Sequence, residues 1–284
     1  MIAFMNRNLK IFFKDKSAVF FSLLAVFIII GLYALFLGET WTDSFSDVPG
    51  IRFVMDSWIM AGLLSVTAVT TTMGALGTMV IDRSQKIVKD FKTSPINSSS
   101  LTCGYILSAV IIGIIMSLAA LVLAEIYIVA SGGELLGGVA LLKTLGLIVL
   151  SSLAGTSLML FFTTLFHSQN AYSAAGTVIG TLIGFVTGIY LPIGTLPDAV
   201  QWVVKCFPIS HAAALFRQTM MSAPLEASFA GAPEQAVAEF SELMGVTFTY
   251  GSSTASPLAS IIVLLASSAV FFLLSLLVIS RKVD

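Results

Sequence analysis

The stretch GYILSAVIIGIIMSLAALVLAEIYIVA, residues 104–130, decides the class of this protein. One ionisable residue, Glu125, interrupts an apolar run longer than the roughly 20 residues a helix needs to cross the hydrocarbon core of a bilayer. Five further stretches read the same way: 18–38, 57–81, 140–166, 171–191 and 257–280. Of the 284 residues, 57% are hydrophobic and 10% charged, where a soluble domain carries about 25% charged residues. Mean hydropathy is +1.00. The sequence therefore predicts an all-α integral membrane protein with six transmembrane helices, folded as a single transmembrane domain over residues 1–284.

The charges set its orientation. Arg7, Lys10, Lys14 and Lys16 precede the first span, Arg83, Lys86, Lys89 and Lys92 lie between the second and third, and Arg281 and Lys282 follow the sixth. An even number of spans puts these segments on one side, and the positive-inside rule makes that side cytoplasmic. Glu39, Asp43, Asp47, Asp56, Glu134, Asp198, Glu226, Glu234, Glu239 and Glu242 collect on the other. The expectation is a multi-pass plasma-membrane protein with both termini in the cytoplasm. Residues 1–38 imitate a secretory signal, but no small-residue cleavage site precedes Glu39, so the first span reads as a retained anchor. Cys103 and Cys206 fall on opposite sides, so no disulfide is expected. No CxxC or His/Cys cluster suggests a metal.

Residues 1–17 read as an interfacial helix, with Ile2, Met5, Leu9 and Phe12 on one side and Arg7, Lys10 and Lys14 on the other, toward anionic headgroups. Residues 82–103 form the one sizeable cytoplasmic loop, DRSQKIVKDFKTSPI and beyond. A plain connection needs about five residues, yet this one carries Ile87, Val88 and Phe91 among Arg83, Lys86, Lys89 and Lys92, then Pro95 as a stop. Such a helix suits docking into the groove of a soluble partner. Alternatively, the cations only fix topology and the apolar residues lie on lipid.

The segment LPIGTLPDAVQWVVKCFPISHAAALFRQTMM, residues 191–221, is too interrupted by Pro192, Gly194, Pro197 and Pro208 for one spanning helix and too apolar for a solvated loop. Two short helices dipping into the outer leaflet reconcile these facts, the first capped by Thr195 and the second by Ser210. Residues 223–256 are polar enough for a small extracellular cap, with an amphipathic helix burying Val237, Phe240 and Met244 and a short strand in VTFTY. Its acids read as a solvated face.

Taken whole, the chain resembles the type 2 class of ABC exporter permeases. The interfacial helix, the six spans, the loop helix with its small residue, Pro and apolar residue in KTSPI (92–96), and the broken segment at 192–256 carry the likeness. Asp82 and Arg83 stand where the class usually has glutamates. The resemblance implies a coupling helix seated in an ABC ATP-binding subunit, present in two copies, with Arg83, Lys86, Ile87, Val88, Phe91 and Pro95 as coupling residues. It also implies a second permease, identical or homologous. An extracellular gate would comprise Pro192, Pro197, Phe207, Pro208, His211 and Arg217. ATP and Mg would sit on the partner, because this chain lacks the G-x-x-x-x-G-K-[ST] phosphate loop and is expected to bind no cofactor. The implied activity is export of an amphiphile: a drug, as in multidrug export, a lipid, a lipid-linked glycan or a hydrophobic peptide.

Within the spans, Gly176, Gly180, Gly184 and Gly188 lie four apart, a ridge for close helix packing or a smooth pathway wall. Thr67, Thr71 and Thr78 mark a hydroxyl-rich face, softened by Met73, that either bonds back to its own helix or lines a substrate path. Glu125, an intramembrane carboxylate with Lys143 as its candidate partner, is a further candidate for the substrate path. No catalytic constellation can be built from His167 and His211 on opposite sides, and nothing points to nucleic acid. An ion-coupled carrier or channel is the alternative, and would require several buried ionisable groups or an inverted repeat.

Overall fold

Helix α4 (Ile51–Ser84) is the axis of the molecule. At 34 residues it is about 51 Å long, so it overruns a hydrocarbon core of about 30 Å at both ends. Its small and hydroxyl side chains let neighbours close in on every side, and 83% of its most apolar window is buried. Packed around it are α6 (Ser98–Ala130), α7 (Gly138–Leu165) and α10 (Pro208–Met220). The computed structural model describes residues 1–93, 97–251 and 253–281.

Helices α2 (Lys16–Leu32) and α13 (Pro257–Arg281) are apolar on all faces and lie at the periphery, with 17% and 11% of their spanning windows buried. A helix that is oily all round and uncovered by protein is matched to lipid. Asp15 ends α1 (Ile2–Lys14) and caps α2 by accepting the Ala18 N–H at 3.0 Å. One π-turn, Tyr33–Leu37, then carries α2 into α3 (Gly38–Ser44).

The fifth predicted span is shorter than expected. Helix α8 (Gln169–Val186) stops at Val186 rather than Leu191. Gly188 takes φ +67, its N–H bonds the Phe185 carbonyl, and the Ile189 N–H reaches back to Gly184, the paired reversal that closes helix C-termini. Gly188 is therefore the end of the helix and not the fourth member of a packing ridge. Among the described residues, five helices are long and apolar enough to cross a membrane, or six if the bent pair described next counts as one span. Helix α8 is not among the five.

After a 3-10 turn at Ile193–Thr195, α9 (Asp198–Cys206) meets α10 at 87° across Phe207. Pro208 opens α10, where its missing N–H costs nothing. The predicted caps do not form: the Thr195 hydroxyl donates to the Pro192 carbonyl, and Ser210 lies inside α10 and donates to Val186 O at 2.9 Å. Helices α11 (Ser222–Ser228) and α12 (Glu234–Leu243) and a two-residue hairpin, β1 (Thr249–Tyr250) with β2 (Ser253–Thr254), complete this end. As the periodicity predicts, α12 turns Phe240 inward, with Met244 buried just beyond it.

Candidate functional site

At one end of α4, four segments meet on a single guanidinium. Helix α1 buries Phe4, Asn8 and Phe12 against α6, while Ile2 is exposed and Met5 and Leu9 are half-buried. The buried face is thus rotated from the predicted one, and it brings Arg7 inward. Arg7 donates Nη1 to Asp82 Oδ2 at 2.6 Å and Nη2 to Oδ1 at 2.9 Å, a bidentate fork that fits a carboxylate. The Tyr105 hydroxyl from α6 donates to the same Oδ2 at 2.6 Å. The hydrogen bond to Asp82 holds the Arg7 pKa above its ordinary value. The guanidinium lies 5.4 Å from the Phe4 ring and 5.3 Å from the Phe91 ring, within cation–π range of both. The two rings meet edge to face at 5.1 Å.

Phe91 belongs to α5 (Ile87–Lys92), the short helix of the basic loop. The sequence suggests one helix carrying Arg83, Lys86, Lys89 and Lys92, but the chain breaks at Lys86, whose φ is +63. Arg83 is the last turn of α4. Ile87 and Val88 are half-buried, Phe91 faces the Arg7 clamp, and Lys86, Lys89 and Asp90 are exposed. The outward surface of α5 is therefore mostly charged. Pro95 lies outside the described residues.

The opposite end is stitched by His211 and Arg217 of α10. His211 Nε2 lies 3.0 Å from the Lys205 carbonyl and Nδ1 3.0 Å from Ser260 Oγ. A carbonyl only accepts, so Nε2 carries the proton and Nδ1 accepts from Ser260. This joins the end of α9 to α13. Arg217 is fully buried. It donates Nη2 to Gly188 O at 3.1 Å and Nη1 to Gly245 O at 3.5 Å, and it stacks 4.8 Å from the Trp58 ring. Both acceptors are left-handed glycines, φ +67 and +65, one ending α8 and one ending α12. Among the described residues no carboxylate pairs with Arg217, so two chain reversals and an aromatic face carry its charge. Trp58 Nε1 donates to Met244 O at 2.7 Å, pinning the same turn to α4. Pro192 is buried beside this seam, Phe207 and Pro208 form the elbow, and Pro197 caps α9 in the open.

The predicted pathway residues separate. Thr67 and Thr71 are buried and donate to Leu63 O and Thr67 O at 2.8 and 2.7 Å, so they satisfy their own helix. Thr78, with Thr70, Gly74 and Gly77, lines a groove of about 420 Å³ between α4 and α2. Met73 seats its methyl against Gly176, leaving no room there for a Cβ, and its carbonyl accepts the Tyr172 hydroxyl at 2.6 Å. Gly184 is covered by Tyr190, and Gly180 faces open space. Glu125 does not pair with Lys143. Its Oε2 accepts the Leu136 N–H at 3.0 Å, because the turn after α6 folds back over it. Asp56 is not a surface acid: α4 starts at Ile51, and Asp56 is buried with Arg52 one turn earlier at 3.2 Å and the Tyr127 hydroxyl at 3.5 Å. The i, i+4 spacing of Arg52 and Asp56 was the available signal.

The profile of the ABC-2 family transporter proteins matches residues 39–277. This chain belongs to that family. The match bears out the resemblance read from the loop and the order of the helices. It takes in α4 to α12 and most of α13, and starts after α1 and α2, so Arg7 lies outside it. Nodulation protein J of Rhizobium meliloti (strain 1021) is 33% identical over 87 residues, 31% of this chain and 33% of that protein. Nodulation protein J of Rhizobium leguminosarum bv. viciae is 33% identical over 86 residues, 30% of this chain and 33% of that protein. The chain matches about a third of the length of these curated relatives.

Proposed function

We propose that this ABC-2 family chain is the membrane-embedded subunit of an ATP-driven exporter. The observation that carries the reading is the Arg7 clamp. Helix α5 is tied by Phe91 and Arg7 to α1, to the end of α4 through Asp82, and to the start of α6 through Tyr105. A partner that displaces α5 must therefore move the ends of two long helices with it. An ABC ATP-binding subunit, in two copies and carrying the ATP and Mg, supplies that push on the cytoplasmic side, where both termini lie. Its dimer needs only to bind one permease conformation better than the other for ATP to drive alternation.

The substrate is an amphiphile that leaves the cytoplasmic side. The groove between α2 and α4 offers Thr70 and Thr78 hydroxyls beside Phe21 and Ile81, a mixed wall suited to a molecule with one polar end. At the far end, the α9–α10 elbow and the Arg217 seam act as the gate. A second permease, identical or homologous, packs against the exposed side of α8. ATP hydrolysis is the partner's chemistry and this chain contributes none of it.

The test is gentle purification of the tagged chain from its native membrane, with mass spectrometry and an ATP hydrolysis assay on whatever stays bound. A stoichiometric ATPase is expected, lost in the double variant Lys86→Glu, Lys89→Glu while the permease still elutes as a single folded peak. A stable assembly containing no ATPase would overturn the proposal in favour of an ion-coupled carrier.

A further inference from the structure

We propose that the groove between α7, α10 and α13 holds one anionic phospholipid of the leaflet opposite α5, with its phosphate on Lys143 and an acyl chain running past Gly146 toward Leu150. The groove measures about 690 Å³ and its walls are mostly apolar, with Leu150, Leu215 and Ile261 among them, a size within the range of pockets that bury a ligand. From Lys143 to Leu150 it descends about 10 Å along α7, from headgroup depth into the hydrocarbon. It opens beside α13, whose spanning window is only 11% buried, so its mouth faces lipid.

Lys143 marks the headgroup end. Lys143 is exposed and, among the described residues, has no ion pair or hydrogen bond; no acid lines the groove with it. An unpaired cation at the mouth of an apolar groove fits an anionic phosphodiester headgroup, as in phosphatidylglycerol, better than a zwitterionic headgroup that brings its own cation. A lysine that merely reaches for the water interface would show no such lipid preference.

The full chain, reconstituted in vesicles of equal phosphatidylglycerol and phosphatidylcholine and released for native mass spectrometry, reads this out. Wild type should retain one phosphatidylglycerol per chain with about fivefold preference over phosphatidylcholine. Lys143→Gln should bring the ratio near parity. Gly146→Leu should expel lipid of either kind, and because a Cβ at Gly146 meets nothing within 4 Å, the protein should still fold. Equal retention of both lipids by wild type, or undiminished phosphatidylglycerol on both variants, would overturn the proposal.

Discussion

The Arg7–Asp82 pair is unequal in its exposure, and that inequality decides what each deletion costs. The Arg7 side chain is 29% exposed and that of Asp82 3%. Arg7→Ala strands a carboxylate in a dry site with one tyrosine hydroxyl, a situation that costs about 3–5 kcal/mol for a buried pair. Asp82→Asn leaves a cation that can turn toward water, so its cost should be smaller, about 1–2 kcal/mol. We expect Arg7→Ala to melt well below Asp82→Asn in a thermal scan of the detergent-purified permease, and the double variant Arg7→Met, Asp82→Asn to recover most of the loss. If Asp82→Asn proved the more damaging, the clamp would owe its strength to something other than the buried charge.

At the scale of elements, the break between α4 and α5 depends on one residue in an unfavourable conformation. A non-glycine at φ +63 costs about 1–2 kcal/mol, so Lys86→Gly should keep or raise the melting temperature and leave α5 docked. Lys86→Val, β-branched in a left-handed position, should release α5 and expose its amides. Hydrogen exchange over residues 87–92 checks this, and equal protection in the two variants would show that backbone strain plays no part there.

The same element shows what the sequence could and could not tell. Long apolar spans, the proline elbow at Phe207 and Pro208 and the buried edge of α12 were legible, because each follows from a local rule of length, ring geometry or period. The clamp was not: Arg7 and Asp82 are 75 residues apart, and a six-residue helix does not announce which partner will cover Phe91. Nor does four-residue spacing distinguish Gly176, which admits Met73, from Gly188, which ends a helix. Thr67 and Thr78 carry the same hydroxyl, and only the packing around α4 buries one and leaves the other in a groove.

At the scale of the whole molecule, the chain is lopsided. Helix α8 touches α4 through Tyr172 and Gly176, yet Val178, Leu182 and Phe185 stay 59%, 55% and 47% exposed, and Gly180 has nothing within 4 Å of a built Cβ. A bare glycine face in a helix too polar at its start to qualify as a lone span asks for another protein surface more than for lipid, since small residues favour close helix approach. If a second permease fills it, Gly180→Leu should leave the single chain folded, even gaining up to about 1 kcal/mol of helix propensity, while converting dimers to monomers in light scattering. Gly31→Leu on α2, whose added side chain also meets nothing but points among lipid-facing residues, is the matched control and should leave dimers intact. Dimers that survive Gly180→Leu would place the seam elsewhere. Loss of dimers in both variants would show that bulk alone disrupts them, and the assignment of α8 as the seam would lapse.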